Sequence, residues 1–112
     1  MIERRQQQWL RGVLDLCVLA TLSEQERHGY AIASRLDEAG VARVKGGTLY
    51  PLLARLQAAG LVAARWEPGE HGPSRKYYAL TDGGRALLRE QGLAWVAFAR
   101  ATQKLIDPGG SS

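Results

Sequence analysis

The chain has 112 residues, the size of one domain, and its 46% hydrophobic and 23% charged residues are typical of a globular protein with its own core. A single cysteine excludes an internal disulfide and a four-cysteine zinc site, and it is typical of a reducing compartment. The formal net charge of +4 is compatible with a polyanionic partner without requiring one.

The first predicted element is a helix from about Gln8 to Leu22, where apolar residues recur at i, i+3 and i+4 spacing. Arginines followed by an apolar stretch resemble the start of a signal peptide. However, Asp15 interrupts the stretch and no small-x-small cleavage site follows, so an amphipathic helix explains the segment better. We expect Cys17 to be a core residue of the helix. No run reaches the ~18 apolar residues of a membrane span, so the sequence predicts a cytoplasmic protein without a membrane partner.

Two shorter helices are predicted next. The second helix covers about His28 to Glu38, with Gly40 as its C-terminal stop. A brief extended piece over Val41–Val44 leads to a third helix, from about Gly47 to Ala59, which Gly60 ends.

The pattern then changes to a β-hairpin and a long helix. Leu61–Trp66 and Lys76–Leu80 are predicted strands, because apolar residues flank a loop rich in glycine and proline. A last helix is predicted from about Asp82 to Leu105, with Thr81 as its N-cap. Residues 108–112 are predicted to be a flexible tail.

This order predicts a mainly α fold with a small β-hairpin (α+β class). Residues 1–81 are expected to form a winged helix-turn-helix DNA-binding domain, and residues 82–107 a C-terminal dimerisation helix. Between Arg43 and Lys76 there are six cations and two anions, whereas the rest of the chain carries nine of each. The whole net charge therefore lies on the predicted third helix and wing, although a solvated basic surface would explain the charge alone equally well.

The third helix has a buried leucine stripe and an outer face of small or aromatic residues, with few charges. Such a face allows close approach to a DNA groove, whereas a merely solvated helix, the alternative, more often carries Glu and Lys. Pro51 is expected in the first turn, where its missing N–H costs little. The predicted DNA-binding residues here are Lys45, Gly47, Thr48, Tyr50, Pro51 and Arg55.

The wing adds His71, Arg75 and Lys76 as predicted DNA-binding residues, because cations at a hairpin tip can reach phosphates or enter a minor groove. Glu67 and Glu70 argue mildly against this role, since they would repel the DNA backbone if they faced it.

Alternation along the second strand places Lys76 and Tyr78 on one face. We assign Tyr77 and Leu80 to the other face, although these two residues do not follow strict alternation. One of the two tyrosines is expected in the core and the other at the surface.

No catalytic or metal site is indicated. The sequence has no nucleophile–base pair and no paired carboxylates at useful spacing, and His28 and His71 are too far apart for zinc-ligand spacing. We therefore expect neither an enzyme nor a cofactor.

The last helix carries a heptad seam, which predicts a homodimer of C₂ symmetry. The alternative is that the helix packs only on its own domain. A dimer would present two recognition helices about 34 Å apart, the spacing that reads a pseudo-palindrome. The seam consists of Leu88, Gln91, Trp95, Phe98, Thr102 and Leu105.

Four motifs resemble the PadR-like transcriptional regulators. They are LRGVL at 10–14, HGY at 28–30, GTLYPLLARL at 47–56 with GLV at 60–62, and RKYYALT at 75–81 followed by Gly84. Two departures are Lys45-Gly46, where the family often has a capping residue, and Gln57, where an acidic residue is frequent.

The resemblance implies a dimeric winged-helix repressor of the short subfamily, released from double-stranded operator DNA by a small hydrophobic or aromatic effector. In some drug-binding relatives an aromatic residue at the Trp95 position lines a pore between subunits, which makes Trp95, and then Phe98, the expected effector contacts. A purely structural place in the dimer core is the alternative for both residues. The expected function is sequence-specific transcriptional regulation; the alternative is a winged-helix protein-interaction module that does not bind DNA.

Overall fold

The computed structural model describes residues 8–110 and confirms a mainly helical fold with a small antiparallel sheet. The predicted bounds 1–81 and 108–112 extend beyond these residues at either end. The elements are helix α1 (Leu14–Glu24), strand β1 (Arg27–His28), helix α2 (Gly29–Glu38), helix α3 (Gly46–Ala58), strands β2 (Val62–Glu67) and β3 (Arg75–Leu80), and helix α4 (Asp82–Ile106).

The predicted continuous first helix is interrupted. Residues 8–11 form a helical turn, Gly12 and Val13 form a turn, and α1 begins only at Leu14. The amide of Gly12 bonds the carbonyl of Trp9 and that of Val13 bonds the carbonyl of Leu10, so both bonds span three residues rather than four. Glycine is a poor helix former, which explains the interruption at Gly12. The apolar residues keep helical spacing on both sides of Gly12, so their pattern predicted one continuous helix.

The sheet has three strands where two were predicted. Strand β3 lies between β1 and β2, and both neighbours pair with it antiparallel. Strand β1 pairs Arg27 with Tyr78 and His28 with Tyr77. A two-residue strand has no alternation that could predict it. The extended piece expected over Val41–Val44 is a loop.

The core forms where α1, α2, α3 and the sheet meet, and it confirms the predicted leucine stripe of α3. The expected assignment of Leu80 to the face of Tyr77 is wrong, because Leu80 and Tyr78 are both buried and alternate residues share a face. The buried apolar residues are Leu14, Val18, Leu19, Leu22, Ile32, Leu36, Leu49, Leu52, Leu53, Leu56, Val62, Tyr78 and Leu80.

The predicted helix ends are confirmed. Gly40 and Gly60 follow α2 and α3 with φ of +80° and +77°, a conformation that side chains disfavour. The Thr81 hydroxyl accepts the amide hydrogen of Gly84 at 3.0 Å and donates to the carbonyl of Gly60 at 2.7 Å. This cap therefore also holds the start of α4 against the end of α3.

Cys17 is half-buried on α1 and packs against the core, and burial raises the pKa of its thiol. Helix α4 packs on α1. Over residues 8–110, none of the helices has the length and apolar character needed to cross a membrane.

Candidate nucleic-acid interface

Helix α3 begins without a side-chain cap, as Lys45 and Gly46 led us to expect. Lys45 is the N-cap residue in extended conformation, and its side chain bonds no amide of the first turn. Lys45, Gly46, Gly47 and Thr48 are all exposed. The uncapped amide groups and the Lys45 ammonium therefore face solvent together, an arrangement that suits a phosphate.

Pro51 does not lie in the first turn, so that expectation is wrong. Helix α3 starts at Gly46, which makes Pro51 its sixth residue. Proline has no N–H, so the carbonyl of Gly47 lacks its usual helical partner. Both residues are exposed, and water or a bound partner can satisfy this carbonyl.

Tyr50 is held between two glycines while its ring stays 52% exposed. A Cβ atom at Gly29 would lie 2.6 Å from the Tyr50 hydroxyl oxygen and 2.7 Å from Cε1, and one at Gly46 would lie 3.4 Å from the ring. The ring can occupy this place only because residue 29 has no side chain. The first residue of α2 thus positions an aromatic group on the outer face of α3.

A groove runs between α3 and the wing, which is the β2–β3 hairpin. Its lining combines a buried tyrosine with exposed aromatic rings and cations. Lys76 lies on the wing side of this groove, with Nζ 5.9 Å from the ring centre of Trp66 and 5.6 Å from that of Tyr78. Burial raises the pKa of Tyr78, and the nearby Tyr50 adds to the shift. The groove is lined by His28, Gly29, Tyr30, Tyr50, Ala54, Trp66, Ser74, Arg75, Lys76 and Tyr78.

The register divides the wing into two faces. Ala64 pairs with Tyr78 and Trp66 pairs with Lys76, so these four side chains share the inner face, which continues from the core into the groove. Arg65, paired with Tyr77, belongs to the outer face. Because β-strand side chains alternate, only the inner face borders α3.

The outer face carries one neutralised cation, Arg65, and one cation, Arg75, that forms no ion pair in the described chain and reaches the end of the groove beside His28. Arg65 forms ion pairs with Glu26 and, at 2.6 Å, with Glu67, and its guanidinium lies 5.1 Å from the centre of the Tyr77 ring. The two carboxylates raise the pKa of Arg65. Glu67 is therefore neutralised by Arg65, which weakens the objection that this residue would repel DNA.

Ion pairing separates the remaining cations of the segment 43–76 into two groups. Arg43 lies 3.6 Å from Asp37, and Arg55 lies 3.6 Å from Asp15 on α1. In contrast, Lys45, Arg75 and Lys76 form no ion pair with another residue of the described chain. These three cations lie at the start of α3 and on the wing strand, close to the groove.

His28 joins α2 to the wing. Its Nδ1 accepts the amide hydrogen of Ala31 at 3.2 Å, which caps α2, and its Nε2 lies 3.1 Å from Nη1 of Arg75. Burial lowers the pKa of His28, and the positive charge of Arg75 lowers it further. Nδ1 can accept the amide hydrogen only when it carries no proton, so the cap requires the neutral ring.

The structure brings only part of the predicted DNA-binding set together. Tyr50, Arg75 and Lys76 share the groove, while His71 is exposed in the loop between the wing strands. Arg55 lies at the opposite end of α3, beside α1. Sequence reasoning missed Trp66, although it is the strand partner of Lys76 and extends the same alternation.

The predicted dimer seam on α4 is partly covered by its own domain. Leu88, at its start, packs against the core. Trp95, one heptad further, is 43% exposed, and Phe98 is 70% exposed. The exposed apolar residues on the Trp95 side of α4, called the α4 surface below, are Trp95, Phe98, Leu105 and Ile106, whereas Leu93 and Val96 are exposed on other sides of the helix.

Comparison with known proteins gives one family. Residues 18–90 match the Transcriptional regulator PadR-like family. The transcriptional regulator Rv3488 of Mycobacterium tuberculosis is 37% identical over 90 residues, which cover 80% of this chain and 82% of that protein.

Solved structures agree with this family. The crystal structure of a PadR family regulator from Eggerthella lenta aligns with a TM-score of 0.83 and 35% identity, over 95% of this chain and 92% of that one. Bacillus subtilis PadR, solved in complex with operator DNA, aligns with a TM-score of 0.65 and 30% identity, over 70% of this chain and 46% of that one. The chain belongs to the PadR-like family of transcriptional regulators.

Proposed function

We propose that this protein regulates transcription by binding a pseudo-palindromic operator as a homodimer, and that it acts as a repressor which a small-molecule effector releases. One observation carries the DNA-binding part of this proposal. Within residues 43–76, the three cations that form no ion pair in the described chain, Lys45, Arg75 and Lys76, lie at the start of α3 and on the wing, whereas Arg65 on the outer wing face is neutralised. A surface that merely keeps the protein soluble has no need of this segregation.

On DNA, α3 would enter the major groove and the wing would lie over the adjacent backbone. Lys45, Arg75 and Lys76 are the proposed phosphate contacts. The Thr48 and Tyr50 hydroxyls are exposed on α3, where they can reach base edges or phosphates. That the Bacillus subtilis relative was solved in complex with operator DNA supports operator binding by this chain.

Four other predicted residues, Gly47, Pro51, Arg55 and His71, do not line the groove and are proposed as further DNA contacts. Gly47 and Pro51 leave the α3 backbone open to close approach, and His71 extends the reach of the wing. Arg55 would contact DNA after opening its weakly held, exposed pair with Asp15, an exchange that costs little.

The homodimer is supported by the α4 surface. Trp95 and Phe98 are exposed, and Leu105 continues the same side of the helix. Contiguous apolar surface of this kind marks an interaction site in a globular protein. A second copy packed by two-fold symmetry would cover it and would set two recognition helices about 34 Å apart.

DNA footprinting with the full chain tests this function. The probe is a duplex from upstream of the protein's own gene, with a scrambled duplex of equal composition as control. We expect two protected half-sites about one helical turn apart on the first duplex only. Equal affinity for both duplexes would contradict sequence-specific regulation and favour the protein-interaction alternative.

The effector part rests on Trp95 and, next to it, Phe98, which lie within the α4 surface. In a variant with Phe at positions 9 and 66, Trp95 is the one remaining tryptophan of the three in the chain. A planar aromatic compound that dissociates the operator complex should quench its fluorescence. In the otherwise wild-type chain, Trp95→Ala should abolish the quenching caused by that compound; retained quenching would place the effector elsewhere and leave Trp95 a dimer-core residue.

A further inference from the structure

We infer that the groove between α3 and the wing binds the sugar–phosphate backbone of one DNA strand, and that the ring of Trp66 packs against a deoxyribose there. This inference rests on the proposed function and deepens it, because it names the part of DNA that one surface recognises. Trp66 is 67% exposed on the inner wing face. Its ring borders the groove opposite Tyr50 and Ala54 of α3.

The groove offers the two kinds of contact that a nucleic-acid backbone requires. Lys76 and Arg75 supply positive charge, and the hydroxyls of Ser74 and Tyr30 supply hydrogen-bond donors for phosphate oxygens. The ring of Trp66 supplies a flat apolar surface next to the Lys76 ammonium. Along a DNA strand, charged phosphates alternate with largely apolar sugars. The Lys76 ammonium therefore matches a phosphate, and the Trp66 ring matches the adjacent sugar.

The same lining is poorly suited to reading bases. Its ten residues include no Asn, Gln, Asp or Glu, the side chains that pair with adenine and cytosine edges. Arg75 and Lys76 could read guanine, but the Arg75 guanidinium lies beside His28 at the end of the groove and the Lys76 ammonium lies over the rings of Trp66 and Tyr78. Base recognition therefore falls to the part of α3 outside this lining, such as Thr48, and the groove is left to the backbone.

The position of Trp66 also separates it from the other exposed aromatic residues. Trp95 and Phe98 belong to the α4 surface, for which a second copy is the proposed partner. Trp66 lies on the wing, where Arg75 and Lys76 border the same groove without forming an ion pair in the described chain, and Lys76 stands over its ring. Charge complementarity therefore favours a polyanion over a second apolar surface as the partner of Trp66.

The test compares Trp66→Ala and Trp66→Phe with the wild-type chain, using fluorescence anisotropy on the upstream duplex and on the scrambled duplex at several salt concentrations. We expect Trp66→Ala to weaken binding to both duplexes equally, by about tenfold, because an apolar contact is lost. The slope of log K against log salt should not change, since no phosphate contact is removed. Trp66→Phe should retain most of the affinity.

Two control variants show which kind of contact is lost when Trp66→Ala weakens DNA binding. Lys76→Ala should lower the salt slope by about 0.9 for each phosphate contact removed, which distinguishes a charged from an apolar contact. Arg65→Ala combined with Glu67→Ala, on the outer face, should leave affinity within about twofold, because these two side chains already neutralise each other. Circular dichroism should show wild-type folding for each variant, since these side chains are exposed or half-buried.

Three outcomes would overturn the inference. Unchanged affinity in Trp66→Ala would mean that the ring does not touch DNA. A loss confined to the upstream duplex would mean that the ring reads bases, and a lower salt slope would mean that it acts only by positioning Lys76. In all three cases the wild-type chain still binds DNA, whereas failure of the wild-type chain to bind would contradict the proposed function itself.

Discussion

Two surfaces of this small protein are left uncovered, and they differ in kind. The groove between α3 and the wing joins aromatic rings to cations without ion pairs, while the α4 surface is apolar and centred on Trp95 and Phe98. The first matches a polyanion and the second matches a copy of itself. The net charge and the apolar seam, both visible in the sequence, therefore point to two different partners at two ends of the molecule.

The same contrast recurs within the wing. Lys76 and Trp66 face the groove, whereas Arg65, on the other face, is held by Glu26 and Glu67. Lys76 and Arg65 are both cations of the basic segment, but only Lys76 can give its full charge to a phosphate. A count of charges along the sequence therefore overstates the number available to DNA.

The largest effect is expected at the α4 surface. Phe98→Glu places a charge in the proposed dimer interface, so light scattering should show a monomer at micromolar concentration. Operator affinity should fall by about 10²-fold or more, because the two half-sites are no longer bound together. Gln103→Glu, at an exposed polar position of the same helix, adds the same charge and should remain dimeric. A dimeric Phe98→Glu would show that the α4 surface has another partner.

A smaller effect is expected at the contact between α2 and α3. Tyr50→Ala should weaken operator binding about tenfold without unfolding the domain, since the ring is half-exposed. Gly29→Ala should cost about the same, because the new methyl group displaces the Tyr50 ring. In the Tyr50→Ala background, Gly29→Ala should have almost no further effect on binding. Additive losses would show that Gly29 does not act through Tyr50.

The smallest effect concerns the cap of α2. The folded-state pKa of His28 lies below its ordinary value of 6.5, so the neutral ring stabilises the fold. This stabilisation is fully present above pH 6.5, is lost as the pH falls towards the folded-state pKa, and changes no further below it. Thermal melts of His28→Asn, which keeps a capping acceptor, should depend less on pH over this range than melts of the wild-type chain. An equal pH dependence would assign the titration to another group.

The sequence predicted the features that repeat locally and missed those that depend on distant residues. The leucine stripe of α3 and the ends marked by Gly40 and Gly60 follow from periodicity and from single-residue preferences. The two-residue strand β1 exists only because β3, some fifty positions further along the chain, pairs with it. Gly12 breaks a helix whose apolar spacing continues across the break.

The candidate site shows the same limit. The basic segment could be taken from charge along the sequence, but only three of the ten groove-lining residues, Tyr50, Arg75 and Lys76, belonged to the predicted DNA-binding set. The neutralisation of Arg65 could not be predicted, because Glu26 precedes it by 39 positions and lies in the loop between α1 and β1. Likewise, the placement of Tyr50 against Gly29 arises only when α2 and α3 pack.

The central claim is that Arg75 and Lys76 bind phosphate while the ion-paired Arg43 and Arg65 do not. It is tested most directly by the salt dependence of operator binding in two variants of equal charge. Arg75→Ala with Lys76→Ala removes two such cations, and Arg43→Ala with Arg65→Ala removes two paired ones. For a dimer, we predict that the first variant lowers the slope of log K against log salt by roughly 3 to 4. The second should stay close to the wild-type slope; equal reductions in both variants would contradict the account.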